Sequence, residues 1–406
     1  MGLFRANARG EIGVFMPDQG LPKNPLDKNI EEKTVGLLQR VVQTMLPATD
    51  SIGVLLSGGF DSSLIAGLLA AYRNDHNLLL INSRANDSWV SDERYCARVV
   101  ADMINVPLIE QKYNLDRSVV LDIGEIPCAP RPVDTVLALE FYRALSTIAN
   151  DIGVGTFFTG HGGDQLFLSL LTHHFILDYI RDIGFDRNVI FYFINYLSNT
   201  KKGVSGIFLD VLKDLVFQPK TIIDRRAQHH NRYLINTNVW KRWDNESGIL
   251  EHVIPKQVGF SKAWQLLGLL DYDSFSSPFE VENYRFVHPF CSQPLWEHFL
   301  SLPSYILLDG GISRGFIRRV SSTIVPPVIT HRFSKGGGGP LMQNHAKHRI
   351  NQDFLRSGIL VARNYVDLKA LEKAFAQVDQ PKAYNRICDL LSIEIWLQNL
   401  MCFVNG

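Results

Sequence analysis

Short apolar runs alternate with longer amphipathic segments over the first 165 residues of the chain. From residue 29 to 45 the apolar positions recur at helical spacing, which predicts an amphipathic helix before the first strand. Continuous apolar runs bounded by turns are typical of strands buried on both faces of a parallel sheet. Such runs predict strands at 52–56, 77–83, 106–111 and 156–158. Further helices are expected from residue 64, from 91 to about 105 and from about 133 to 150.

This alternation predicts an α/β fold with a parallel, doubly wound sheet, whose ligands lie at the carboxyl ends of the strands. Beyond Gln165 the pattern becomes helical, and the strand signal fades through about residue 400. We therefore expect one domain over 29–406, made of an α/β core (29–165) and a mainly helical part (166–406). Residues 1–28 have mixed polarity and favour an extended arm or the remnant of a further domain.

A glycine-rich loop separates the first predicted strand from the helix that follows it. It reads Ser57-Gly58-Gly59-Phe60-Asp61-Ser62-Ser63. Glycines allow the backbone to approach a ligand closely, and the three serines add hydroxyl donors beside the N–H groups of the helix start. A helix N-terminus favours anions, so this loop predicts a pyrophosphate site. The alternative is a plain glycine turn with a serine cap.

Asp61 adds a carboxylate to this phosphate site, and a carboxylate repels phosphates unless a cation lies between them. It therefore predicts Mg²⁺, which bridges carboxylate and phosphate oxygens. A second glycine loop, Thr159-Gly160-His161-Gly162-Gly163-Asp164, again ends a strand-like run. Gly160, Gly162 and Gly163 would let the backbone approach the ligand. Parallel strands can bring Asp61 and Asp164 to one edge of the sheet, where they could share the Mg²⁺.

A run of four glycines, 336–339, follows Lys335. Consecutive glycines cannot hold regular structure at low cost, so a mobile loop is expected there. Lys335 is then either a lysine brought over a charged intermediate or a surface lysine on a plain linker.

The overall composition excludes some partners. Lys+Arg and Asp+Glu are equal at 41 each, so no net charge attracts nucleic acid or an anionic membrane. No apolar run reaches the roughly 20 residues of a membrane span. The five cysteines form no CxxC pair and are expected to be reduced thiols of a cytoplasmic protein. The doublet His173-His174 has no cysteine or acidic cluster nearby in sequence, which favours packed or surface histidines.

With both loops and Lys335 in view, residues 30 to about 400 resemble the synthetase domain of the asparagine synthetase superfamily. SGGFDS is similar to the pyrophosphate loop of that group and TGHGGD to its second loop. The segment from Tyr284 to Pro303 resembles its R-x-PFLD…E-x-x-LSLP region. The resemblance implies a fold of the ATP-pyrophosphatase (PP-loop) type, a ligand-binding basic pair at Arg314 and Arg318, and a transition-state lysine at Lys335.

Within the superfamily, His161 and the sequence from His288 to Leu295 are most similar to lasso-peptide cyclases. Asparagine synthetases tend to carry glutamate at the position of His161, and β-lactam synthetases tyrosine. Only about 50 residues precede the first strand, and position 2 is not cysteine, so no glutaminase nucleophile is expected. The attacking group would be ammonia, a free amine or the substrate's own amino group.

The resemblance implies an ATP-dependent ligase that forms an amide through an acyl-adenylate and releases AMP and pyrophosphate. Lys335 would neutralise charge in the transition state, and His161 could accept the proton of the attacking ammonium. The resemblance to lasso-peptide cyclases implies a ribosomal precursor peptide as substrate, with a leader-binding protein and a leader protease as partners. The alternatives are an ammonia-dependent or β-lactam-type synthetase, and a non-catalytic member that binds nucleotide or peptide.

Overall fold

The computed structural model describes most of the chain, in segments that include every predicted strand. The described residues are 4–6, 12–14, 28–48, 51–85, 93–113, 132, 139–169, 171–200, 203–216, 234–239, 259–270, 284–332 and 352–405.

Two β-sheets are present in this part of the chain. A two-stranded antiparallel pair joins β1 (Phe4–Ala6) to β2 (Ile12–Val14) within the N-terminal arm. The second sheet is five-stranded and entirely parallel, in the order β5-β4-β3-β6-β7. Its strands are β3 (Ser51–Leu55), β4 (Asn77–Ala85), β5 (Leu108–Tyr113), β6 (Thr156–Phe158) and β7 (Arg285–Val287).

Helices connect these strands and make up the rest of the described chain. The helices of the α/β core are α1 (Lys28–Thr44), α2 (Phe60–Leu69), α3 (Arg94–Ile104) and α4 (Leu139–Ile152). Those that follow β6 are α5 (Gly163–Leu166), α6 (His174–Ile183), α7 (Arg187–Ser198), α8 (Val204–Val216) and α9 (Phe260–Leu270). Those that follow β7 are α10 (Gln293–Ser301), α11 (Ser304–Leu307), α12 (Gly315–Val320), α13 (Pro327–Thr330), α14 (Gln352–Arg356), α15 (Ile359–Ala362), α16 (Leu368–Phe375) and α17 (Pro381–Asn405).

The hydrophobic core lies on both faces of the parallel sheet. Successive strand residues point to opposite faces, so Leu80 and Phe158 join one apolar cluster while Ile81 and Phe157 join the other. This double burial explains why the strands are continuously apolar in sequence. Gly53 lies where an added Cβ would come within 2.5 Å of the Phe157 ring, so its lack of a side chain lets the adjacent strand pack against it.

The predicted α/β class and parallel sheet are confirmed. The predicted strand 156–158 agrees with β6, and the other predicted strands overlap β3, β4 and β5. The expectation that strand structure ends at Gln165 is wrong, because β7 pairs in parallel with β6. β7 begins with the exposed Arg285 and is only half-buried, so it lacks the fully buried apolar run of the equally short β6. None of the helices in the described segments has the length and apolar character that a bilayer-spanning helix requires.

Candidate active site

The two glycine loops meet at the point where the direction of strand addition reverses. From β3 the chain proceeds to β4 on one side, whereas β6 lies on the other side of β3. In open α/β sheets, ligands bind at this switch point, outside the carboxyl ends of the strands. The loop of residues 56–59 follows β3, and the loop of residues 159–162 follows β6. The sheet therefore places both loops at the predicted edge.

Glycine is required where the two loops touch. A Cβ on Gly160 would lie 2.6 Å from the backbone nitrogen of Ser62, and one on Gly163 would lie 2.6 Å from Cγ of Asp61. Gly58 has φ +89°, and a Cβ there would also come within 2.6 Å of the carbonyl oxygen of Glu93. These glycines allow backbone and carboxylate to come together with no side chain between them.

The serines of the first loop have different partners. Ser57 Oγ accepts a hydrogen bond from Gly59 N at 3.2 Å and lies 3.0 Å from Ser62 Oγ. The hydroxyls of Ser62 and Ser63 both donate to the carbonyl oxygen of Gly59, at 3.2 and 2.7 Å. Ser57 and Ser62 line the cavity described below, but Ser63 does not.

Both predicted metal-binding carboxylates contact Arg314. Its Nη2 atom lies 3.1 Å from Asp61 Oδ2 and also forms an ion pair with Asp164. Arg314 is buried, with 6% of its surface exposed. Asp61 and Asp164, which are 103 positions apart in sequence, thus converge on one nitrogen atom. The sequence-based expectation treated Arg314 only as a ligand-binding residue and did not foresee this bridge.

Arg314 is held in place by an unusual backbone conformation. It has φ +57° and precedes α12, and Leu168 has φ +58°. Arg314 N donates to Leu168 O at 3.4 Å, and Ser313 Oγ donates to Ser169 O at 2.7 Å. Left-handed non-glycine residues cost about 1–3 kcal/mol each and persist where surrounding contacts fix them. The segment before α12 is therefore docked onto the segment that follows α5.

Arg318, the second member of the predicted basic pair, is mainly bound to backbone. Its Nη1 atom donates to the carbonyl oxygens of Ile329 and Thr330 at 3.1 and 2.9 Å, and its guanidinium lies 4.9 Å from the centre of the Phe60 ring. Burial, together with the charge of Arg314, lowers the pKa of Arg318 to about 10, partly offset by Asp61. The side chain lines the cavity and ties α12 to α13.

His161 lies at the edge of this site, beside a second histidine. It is exposed, and its ring centre is 5.3 Å from that of His288 in an edge-to-face contact. Thr159 Oγ1 lies 2.5 Å from His288 Nδ1 and accepts from His161 N at 3.2 Å. The Cys291 thiol donates to the carbonyl oxygen of His161 at 3.5 Å. The second glycine loop and the segment from His288 to Cys291 are therefore in direct contact.

A cavity of about 580 Å³ lies between the loops, and most of the predicted site residues line it. These are Ser57, Gly58, Gly59, Asp61, Ser62, Gly160, His161, Gly162, Asp164, Arg314 and Arg318. Gly163 packs behind the cavity against Asp61. Lys335 lies outside the described residues. The described cysteines, Cys96, Cys291, Cys388 and Cys402, form no disulfide with one another.

Two charged lining residues were missed by the sequence reasoning. Glu93 and Arg332 both line the cavity and pair with each other, with Arg332 Nη2 2.7 Å from Glu93 Oε1. Arg332 Nη1 also lies 3.2 Å from Cys96 Sγ. Glu93 lies at the start of the helix expected from residue 91, and Arg332 belongs to no motif. Only the fold brings the two together, since they are 239 positions apart.

The donor set fits a nucleotide with Mg²⁺. Two carboxylates that converge on one nitrogen are close enough to share a small cation, and Mg²⁺ takes one or two carboxylates together with phosphate oxygens. The N-terminus of α2 and the glycines beside it suit phosphate groups. Side chains at positions 58 and 160 would clash with neighbouring backbone, so the close packing that forms the floor of the site depends on glycine.

Comparison with known proteins agrees with this geometry. No curated protein sequence matches the chain significantly. A family model described as asparagine synthase matches residues 34–398, which include both glycine loops, the parallel sheet and the helices after β7. Because this match covers most of its length, the chain belongs to the asparagine synthase family, whose members are ATP-dependent amidotransferases or ligases that form C–N bonds.

Proposed function

We propose that this family member closes a macrolactam in a ribosomally made lasso precursor peptide. It would join the side-chain carboxylate of an Asp or Glu to the N-terminal amine of the same peptide. The observation that carries the proposal is the contact between His161 and the segment from His288 to Cys291, with ring centres 5.3 Å apart. These two segments have the sequences most similar to lasso-peptide cyclases, and they are in contact where His161 lines the cavity.

In the first half-reaction, an oxygen of the peptide carboxylate attacks the α-phosphorus of ATP, and pyrophosphate leaves. The loop from Ser57 to Ser62 and the N-terminus of α2 hold the departing pyrophosphate. Asp61 and Asp164 would hold Mg²⁺, which would offset negative charge on the phosphates. Arg314 lies against both carboxylates and keeps them together. The products of this step are the acyl-adenylate and pyrophosphate.

In the second half-reaction, the peptide's amine attacks the acyl carbon, the bond to AMP breaks, and the nitrogen loses a proton. His161 is exposed at the cavity edge, and imidazole titrates near neutral pH, so we assign it the proton. Lys335 neutralises charge at the phosphorus and then at the tetrahedral centre. It follows the cavity residue Arg332 by three positions, and three residues reach at most about 10 Å.

The peptide must also be held with its tail threaded before the ring closes. We place that surface in the helical region from 165 to 330. A leader-binding protein and a leader protease would act with the enzyme, as the resemblance implies. Ammonia-dependent and β-lactam-type synthesis share the first half-reaction, so the substrate distinguishes them from macrolactam closure.

The test is to incubate the protein with ATP, Mg²⁺ and a panel of precursor peptides, and to measure AMP, pyrophosphate and peptide mass. We expect the loss of one water from a peptide that carries Asp or Glu at the ring position. The matched peptide with Asn or Gln there should stay unchanged. Pyrophosphate release with free aspartate, and no change in any peptide, would overturn the cyclase proposal.

Two variants test the assigned roles. Lys335→Ala should still bind ATP but lose turnover by roughly 100- to 1,000-fold, as when one transition-state donor is removed. Near-normal turnover would mean that Lys335 takes no part in the chemistry and is a surface lysine on a plain linker. Asp164→Asn should weaken Mg²⁺-dependent ATP binding in a calorimetric titration, and unchanged affinity would remove the shared metal site.

A further inference from the structure

A second cluster of ligand-type side chains is buried outside the nucleotide cavity. His173 Nε2 lies 2.8 Å from Asp214 Oδ2, and His174 Nε2 lies 3.2 Å from the same oxygen. Both histidines are buried, and their rings stack with centres 4.2 Å apart. None of the three residues lines the cavity between the glycine loops. The histidines are packed, in agreement with the sequence analysis, and the acidic residue that joins them is distant in sequence.

The fold explains why no local pattern indicates this cluster. His173 caps the N-terminus of α6, and His174 is the first residue of that helix. Asp214 lies in the last turns of α8, 41 positions after His173. A helix C-terminus disfavours a carboxylate and favours a nearby cation. A cation at this point would satisfy Asp214 and join α8 to α6.

The ligand atoms have the chemistry and spacing of a transition-metal site. Two imidazole nitrogens and one carboxylate oxygen, with an open position for water, form a common Zn²⁺ ligand set. Zn²⁺ bonds of about 2.0–2.1 Å put tetrahedral ligand atoms roughly 3.4 Å apart. The 3.2 Å between His174 Nε2 and the Asp214 oxygen is close to that spacing. The 2.8 Å between His173 Nε2 and the same oxygen is shorter than that spacing. All three ligand atoms lie within 4.8 Å of one another.

An outer-shell partner is also present. Thr172 Oγ1 lies 3.0 Å from His174 Nδ1, the ring nitrogen that does not face Asp214. Metal-bound histidines almost always use their second nitrogen in this way, which fixes the tautomer and the ring orientation. We propose that His173, His174 and Asp214 bind one Zn²⁺ ion, which fastens α8 to the start of α6. This site is independent of the proposed cyclase function.

The test is zinc binding by the full chain. The protein is stripped with EDTA, dialysed against Zn²⁺, and its metal content is measured by mass spectrometry. Competition with a chelator then gives the affinity. We expect one Zn²⁺ per chain, and a loss of affinity greater than about 100-fold in Asp214→Asn, because changes to outer-shell partners alone cost 10- to 100-fold. Thr172→Val should weaken binding by about tenfold.

Two controls separate this site from others. The double variant His229→Ala/His230→Ala removes another histidine doublet and should bind Zn²⁺ like the wild type. Asp164→Asn should do the same, since it alters only the nucleotide site. The proposal is overturned if the wild type retains no stoichiometric Zn²⁺, if Asp214→Asn binds it equally well, or if Asp164→Asn removes it. Co²⁺ gives a second readout, because its visible absorption should appear in the wild type and be absent in Asp214→Asn.

Discussion

Replacing Gly160 by alanine should push the two glycine loops apart and slow the reaction while the protein stays folded. The added Cβ would lie 2.6 Å from Ser62 N and 2.7 Å from the carbonyl carbon of Asp61. These are backbone atoms and cannot rotate away. Ordinary contact begins at 3.4 Å, so the loops must separate by about 0.8 Å. Overpacking of this kind typically costs about 1–3 kcal/mol in folding free energy.

Catalysis should be more sensitive than folding to this shift. Asp61 and Ser62 both line the cavity, and a displacement of about 1 Å in a reacting geometry can cost roughly 100-fold in rate. We therefore expect the peptide-dependent release of pyrophosphate to fall by about that factor. Circular dichroism at the assay temperature would establish that the variant remains folded.

Gly155→Ala is the matched control, because a Cβ at Gly155 meets no atom within 4 Å. Surface substitutions usually change stability by less than about 0.5 kcal/mol, so its activity should stay within roughly twofold of the wild type. If Gly160→Ala is as active as Gly155→Ala, the close contact between the loops is not needed for the reaction and this reasoning is refuted.

Three further predictions concern individual side chains. Arg314→Gln removes the cation shared by the two carboxylates and should weaken ATP binding at least about tenfold, measured by calorimetry; an unchanged affinity would contradict the bridge. Thr159→Val removes the hydroxyl that joins the loop to His288 and should lower turnover about tenfold, while ATP affinity stays constant. Burial, opposed by the charge of Asp178, lowers the pKa of Lys262 from its ordinary value of 10.5 to about 7. The unfolded chain then binds more protons than the folded one between these values, so the free energy of unfolding should rise from about pH 7 to pH 10.5. In Lys262→Met that rise should be absent from urea titrations, and an equally steep rise would contradict the assignment.

The α/β core was predictable because its signals are local. Strands buried on both faces are continuously apolar, and loops that approach one another closely need glycine, as at Gly58 and Gly160. The shared edge of Asp61 and Asp164 followed from the rule that parallel strands align their carboxyl ends. These features depend on residues near one another in sequence, or on a general property of the sheet.

The remaining features depend on packing between distant segments. β7 is only three residues long and is defined by its pairing with β6. Arg314 reaches the carboxylates because Leu168 and Ser169 hold the segment before α12. Asp214 comes to His173 only once α8 packs on α6. No local pattern encodes such contacts. The division into an arm and one domain stays a prediction.

The most direct measurement is the identity of the nucleotide product formed with Mg²⁺, ATP and a peptide that becomes dehydrated. Ion-exchange chromatography of the quenched reaction separates AMP from ADP, and a coupled assay measures pyrophosphate. A loop that grips pyrophosphate as the leaving group predicts AMP and pyrophosphate in equal amounts, one of each per ring closed, with both lost in Asp164→Asn. ADP and inorganic phosphate in their place would contradict adenylation at this site.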